Sequence, residues 1–378
     1  MLNINYKIIF FIILFIILPN ANAKYLDTQS CKECHEMIHY EHTTSMHHNS
    51  SLFKDEFHNK VKNLTSKDKY DCALCHTPNA SNLRAIIIGE EKVNKNDTKT
   101  TDGVSCFYCH QITKVLELKH KNINFYSYKE NSKPNFLAYL DDVSSSDKHN
   151  NGSNEIFHNS QVCMGCHGKK YNKNDVEICN GYNEIDEKSD CISCHMKKFP
   201  GGVTKLNKKG RTQYSSHEFL GIRDQDMVKK AVELKLGKID NTHIKLIIKN
   251  KMGHSIIMQP MRLKFVQTII VRGGKVIWKN YAKNPIEDTE ATFTRIFNDD
   301  QGKSVLPPFA KGILYDNNIK ANKQKIIIYK TPSLKKSDIV TSTWISYVAR
   351  PTLAKKLNLT NSDLLKKYIG IKSELIIK

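Results

Sequence analysis

Cys31-Lys32-Glu33-Cys34-His35 opens a series of five Cys-x-x-Cys-His pentapeptides. It is followed by Cys72-Ala73-Leu74-Cys75-His76, Cys106-Phe107-Tyr108-Cys109-His110, Cys163-Met164-Gly165-Cys166-His167 and Cys191-Ile192-Ser193-Cys194-His195. Each has the form of a c-type haem attachment site. Two thiols three positions apart can form thioethers to the two vinyl groups of one porphyrin, and the histidine after the second thiol reaches the iron as its proximal ligand. Zinc ribbons use Cys-x-x-Cys in pairs and need no histidine next to it. Redox dithiols act singly near a βαβ pattern, and a disulfide framework has no reason to repeat one pentapeptide. The five copies use ten of the eleven cysteines, so five covalently attached haem c groups are the expectation.

The motifs fall between positions 31 and 195, about 33 residues for each macrocycle. That is too little chain to wrap each haem in a separate domain. The porphyrins must share walls and serve as the hydrophobic core, with short helices and loops stretched over them. Haems that close form a path along which electrons can hop. The linking stretches Glu90 to Asp102 and Asp141 to Glu155, the latter with Ser144-Ser145-Ser146 and Asn150-Asn151-Gly152-Ser153, are polar and loop-like.

Upstream, Met1 to Ala23 has the parts of a secretory signal: Lys7, the apolar run Ile8 to Leu18, and Pro19-Asn20-Ala21-Asn22-Ala23 with small residues at the cleavage positions. The apolar run is shorter than the roughly 20 residues that span a bilayer core. Cleavage after Ala23, no membrane span thereafter, and a periplasmic location are expected, because haem c attachment is completed outside the cytoplasmic membrane. The formal charge is +20, which haem propionates would lower by about 5 to 10. A basic surface suits an acidic redox partner or a small oxyanion, and an exported chain has no nucleic-acid partner to expect.

After Cys194 the pattern changes. Ile244, Leu246 and Ile248 alternate with polar neighbours at the period of a half-buried strand. Leu263 to Val271 and Val276 to Tyr281 flank Gly273-Gly274, a hairpin signal. Ile326 to Tyr329 and Val340 to Val348 are further strand-like runs, and Asn361 or Ser362 can cap a short helix through Tyr368. The expected class is α+β: a signal peptide over 1–23, a pentahaem domain of short helices and loops around five stacked haems over 24–215, and a small β-rich, sandwich-like domain over 216–378.

Sixteen histidines less five proximal ones leave eleven for five distal positions, a surplus that favours bis-histidine, low-spin iron over ligation by Met196, Met258 or Met261. Here a resemblance adds detail. Cys31 to His35 followed by Tyr40-Glu41 and Ser45-Met46-His47 resembles the opening of the multihaem cytochromes c related to the electron acceptor of hydroxylamine oxidoreductase, with His42 where those proteins carry Trp. Gly103-Val104-Ser105-Cys106, Val162-Cys163, Ile178-Cys179 with Tyr182-Asn183-Glu184, Ser216-His217-Glu218-Phe219-Leu220-Gly221 and Asn250 with Gly253-His254 are similar to segments of the same family. In place of its usual Pro-Thr-Gly after Gly-His, this chain has Ser255-Ile256-Ile257-Met258-Gln259-Pro260. The resemblance implies His47, His217 and His254 as distal ligands. His158, just before the fourth motif, is the next choice, and His149, His120 and His58 compete for the fifth place. Cys179 is the odd thiol, either a small buried residue or a thiol near a sulfur-handling iron.

Three functions follow from this pattern. The first is an electron relay between periplasmic redox proteins of a respiratory chain. The second is a reductase or oxidase of a small nitrogen or sulfur compound at one haem with an open coordination position. The third is a membrane quinol dehydrogenase that uses an uncleaved N-terminal segment as its anchor. No motif carries Lys in place of the proximal histidine, as related pentahaem nitrite reductases do, and there are five sites where hydroxylamine-oxidising and tetrathionate-reducing relatives have eight. The relay is therefore ranked first. N-terminal sequencing and intact mass of the mature protein should give Lys24 as first residue and five haems above the polypeptide mass. An intact Met1 would restore the membrane anchor.

Overall fold

Short helical segments carry most of the motifs, and the flanking residues explain why. The structure, a computed structural model, describes residues 25–126, 133–139, 145–203 and 212–378; the signal segment and Asp141 to Ser144 lie outside them. Cys106–Cys109 and Cys191–His195 are short helices, capped by Ser105, which accepts from Tyr108 N, and by Asp190, which accepts from Ile192 N and Ser193 N. Asp27 likewise accepts from Ser30 N at the turn Thr28–Cys31. These caps satisfy the free amides at each helix start. The turn itself brings residues three apart onto one face, so the two thiols of a motif point the same way.

The described residues gather into two units interleaved along the chain. The first takes residues up to 114, 125–158 and 200–217 and carries the first three motifs. The second takes 115–124, 159–199 and 218–378 and carries the last two motifs with the β-rich part. Polar stretches read as loops acquire some order: Thr98–Thr101 is a helical turn, and Asn150–Ser153 pairs in parallel with Asn135–Ala138.

In the first unit a buried carboxylate joins the approaches to two motifs. Asp102, four residues before Cys106, accepts from Tyr25 Oη at 2.6 Å and Thr28 N at 2.8 Å, and lies 3.3 Å from His48 Nδ1. Burial opposes its charge, but the nearby His48 ring and the hydrogen bonds from Tyr25 and Thr28 outweigh that and hold the carboxyl down at about 2. Close by, the Cys31 thiol donates to Asp27 O at 3.9 Å and the Cys106 thiol to Thr28 Oγ1 at 4.0 Å.

In the second unit, strands β1 (Val232–Lys238), β2 (His243–Asn250), β3 (Leu263–Arg272), β4 (Lys275–Lys279), β5 (Thr292–Asn298), β6 (Ser304–Val305), β7 (Gly312–Asn317), β8 (Gln324–Lys330), β9 (Ile339–Tyr347) and β10 (Lys367–Ile376) form two antiparallel sheets. The smaller has the order β8-β2-β1. The larger runs β6-β5-β3-β9-β10, with β4 paired to β3 and β7 to β5. Ile244, Leu246 and Ile248 are fully buried on β2, as their alternation requires. Ile244 shares a core with Ile270, Val340, Leu334 and Ile377, which joins the two sheets. Gly273 and Gly274 both have positive φ in the β3–β4 turn, the conformation a tight hairpin demands.

The expected terminal helix is shorter than its pattern. Asn361 caps Ser362–Leu365, and from Lys367 the chain is strand β10 against β9. Tyr368 is buried, and Gly370 lies under Trp344, where a Cβ would come within 2.5 Å of the indole. Edge pairing and that close approach override the helical reading.

Two stability tests follow. Trp344, fully buried and 5.8 Å from Phe293, should cost about 3–5 kcal/mol when replaced by Ala, read as denaturant midpoint of β signal loss. Asp102→Asn should destabilise the first unit by about 1–3 kcal/mol at neutral pH. Because the folded pKa lies below the unfolded one, that difference should persist above about pH 4 and vanish as pH falls through about 2. A constant gap between the denaturation curves across that range would reject the clamp.

Candidate functional site

Three motif histidines face a second imidazole at nearly the same distance. His35 and His149 have ring centres 6.3 Å apart, His110 and His217 6.2 Å, and His195 and His254 6.4 Å, with interplanar angles of 30°, 29° and 14°. A metal–imidazole bond of about 2 Å, with about 1.1 Å from nitrogen to ring centre, puts two trans ligands about 6.2 Å apart. The three pairs therefore have the span of one axially ligated metal, well beyond ring contact.

The second nitrogen of each ring is already committed. Nδ1 of His35 donates to Val203 O at 2.8 Å, that of His110 to Leu137 O at 2.7 Å, and that of His217 to Ser215 O at 2.9 Å. Nδ1 of His195 donates to Leu220 O, that of His254 to Ser255 O at 2.7 Å, and that of His149 to Asn150 O at 3.3 Å. A carbonyl can only accept, so Nδ1 carries the proton and Nε2 keeps its lone pair. Hydrogen bonds of this kind fix the tautomer and orientation of metal-bound histidine. Burial pushes His217 down to about 3 and His254 to about 4, which keeps both imidazoles neutral and able to ligate.

Acidic and polar neighbours hold the partners in place. Buried Glu41 accepts from Tyr214 Oη at 2.7 Å and from His217 N at 2.9 Å. In the second unit, Ser255 N donates to Glu184 O and Ile185 bridges to His254, so the residues before the fifth motif position its partner. The Glu184 carboxylate and that of Asp316 both pair with buried Arg295. The Cys191 thiol is drawn down to about 7, first by the neighbouring Cys163 thiol.

The other histidines have different surroundings. His76 Nδ1 also donates to a carbonyl, Ser50 O at 2.9 Å, but His58 stacks on it at 3.7 Å with Nε2 against Tyr70 Oη. That is ring contact, too close for a metal between them. His47 is half-buried, and its carbonyl receives Val104 N just before the third motif. His158 is exposed, with Nε2 3.2 Å from Ser153 Oγ and its ring 4.5 Å from Tyr139. His120 pairs with Asp175, and His42 is buried with Nε2 on Val104 O. His167 ends the helix Gln161–His167, whose Met164 carbonyl accepts from Asn122. Cys179 is half-buried on a short strand opposite Lys170.

Sequence reasoning passed over Glu41, Asp102 and the carbonyls of Leu137, Ser215 and Leu220. Acids beside an otherwise apolar or histidine-rich turn are a usable signal; a backbone carbonyl leaves none. No helix among the described residues is long and apolar enough to cross a membrane.

Residues 30–111 match the family described as cytochrome c554 and c-prime. No curated protein matches the chain. Among solved structures, the penta-heme cytochrome c552 from Thermochromatium tepidum has the same fold, with a TM-score of 0.77 and 20% identity over 95% of this chain and 100% of that one. A superoxide reductase in the oxidised state aligns at a TM-score of 0.18 and 8% identity (40% of this chain, 89% of that one), and the superoxide reductase of Archaeoglobus fulgidus at 0.15 and 11% (33% and 81%), values too low to indicate a common fold. The attachment motifs, the family match and the shared fold make this chain a multihaem c-type cytochrome.

Proposed function

We propose that the chain is a periplasmic pentahaem cytochrome that relays electrons between partners of a respiratory chain, periplasmic redox proteins or a membrane quinol dehydrogenase. One observation carries the reading: three attachment-site histidines each face a second imidazole at the spacing of trans ligands, with Nδ1 tied to carbonyls. His35 with His149, His110 with His217 and His195 with His254 would each hold one haem iron, and His47 would hold a further one. Bis-imidazole ligation fills both positions and gives low-potential iron suited to electron transfer. The chain's part is to fix those rings before iron changes oxidation state, so little rearranges on transfer. Cys31 and Cys106 both lie against the turn that carries Asp27 and Thr28, which supports adjacent macrocycles in the first unit.

A second reading, reduction or oxidation of a small nitrogen or sulfur compound, attaches to the second motif. His58 lies in ring contact with His76 and is engaged by Tyr70, unlike the three spaced pairs. An open position there would admit a small ligand.

Electron paramagnetic resonance of the oxidised protein, with and without nitrite or sulfite, separates the two. The relay predicts low-spin signals indifferent to either anion; a high-spin signal that an anion alters would favour the enzyme. Replacing His149, His217 or His254 by Ala should convert one low-spin signal each, and an unchanged spectrum would reject that residue as a ligand.

A further inference from the structure

The fifth attachment site has the most nearly parallel of the three spaced imidazole pairs. His195 and His254 are inclined by 14°, against 30° and 29° for the other two. The segments that carry them come together at Glu184, seven residues before Cys191. The Glu184 carbonyl accepts from Ser255 N at 2.7 Å, and Ile185 bridges to His254. Asp186 N donates to Gly253 O at 2.9 Å, so this backbone holds the chain on both sides of His254.

The group that fixes Glu184 lies on the larger sheet. Arg295 of β5 is 6% exposed and stands directly opposite Asp316 of β7. Its Nε donates to Asp316 Oδ2 at 2.9 Å, and its Nη2 reaches the same oxygen at 2.8 Å. Nη2 also donates to Glu184 Oε1 at 2.9 Å. A guanidinium group is planar, with its donors at fixed angles. Once the strand pair aims it, the place of the Glu184 carboxylate is decided as well.

We propose that Arg295 is a positioning residue for the haem attached at Cys191 and Cys194: through Glu184 it sets the orientation of His254 against His195 and keeps that imidazole on the iron. The inference rests on the reading of His195 and His254 as an axial pair. Burying a cation between two carboxylates adds little net stability, so the role of this triad is to fix geometry. The path is short and rigid: sheet pairing to Arg295, ion pair to Glu184, backbone hydrogen bond to Ser255, and then the ring of His254.

Bis-imidazole iron reports the angle between its ring planes in its g values, so electron paramagnetic resonance of the five-haem protein tests the assignment. Arg295→Gln should shift one low-spin signal, the one that His254→Ala removes, and leave the others in place. A loosened His254 should leave the iron more readily, and carbon monoxide should then bind one reduced haem about tenfold more tightly. Glu184→Gln keeps the carbonyl that holds Ser255 N and should shift the same signal; it carries the comparison if Arg295→Gln does not fold. Arg295→Lys keeps the charge without the planar fork and should fall between wild type and Arg295→Gln. Arg272→Gln is the control: it removes another guanidinium–carboxylate pair of this sheet, with Asp338 at 2.7 Å, and should leave the signal unmoved. Equal shifts in Arg272→Gln and Arg295→Gln would indicate a loosened sheet and overturn the assignment. Five-haem variants with wild-type signals and carbon monoxide binding would overturn it too. Failure of the axial-pair reading is distinct: wild type without haem, or low-spin signals all unchanged in His254→Ala, would remove both.

Discussion

A hydrogen bond from Nδ1 to a backbone carbonyl is the constraint on which the site depends. Imidazole has two nitrogens and one proton, and committing the proton at Nδ1 directs the lone pair of Nε2. In this chain the rule holds at His35, His110 and His195 and at the three imidazoles that face them. Ring orientation is set by main chain, which cannot drift as a long side chain can. Three spacings within 0.2 Å of one another are the outcome.

Those carbonyls need anchoring in turn, and buried acids supply it. Glu41 ties His217 N and Tyr214 to the helix that follows the first motif, while Asp102 gathers Tyr25, Thr28 and His48 ahead of the third. In the second unit Glu184 works through both its carbonyl and its carboxylate, one on Ser255 beside His254 and the other on Arg295. Each buried charge meets donors that offset its desolvation.

The β-rich segment is part of this chemistry. Strand β2 leads into the turn that carries His254, and Lys264 on β3 reaches back to the same turn. Sheet pairing through nine register positions of β3 and β9 gives that turn a rigid base. The last two attachment motifs and the sheets therefore form one unit, a grouping that linear composition, with its change after Cys194, does not suggest.

Covalent chemistry and strand periodicity were legible in the sequence, because both are local: thiol spacing decides porphyrin attachment, and alternation at Ile244, Leu246 and Ile248 decides which face is buried. The turn at Gly273-Gly274 was equally plain, since only certain residues accept positive φ. The tail beyond Leu365 was misread as helix because pairing with β9 and the fit of Gly370 under Trp344 are not local properties. Likewise which imidazole faces which motif histidine came from tertiary structure, although the sequence already singled out His217 and His254. In the sequence His149, His120 and His58 compete on equal terms, and it is the fold that sets His149 facing His35. A distal ligand is chosen by which imidazole the fold carries to about 6 Å from the proximal ring, and that distance bears no relation to separation along the chain.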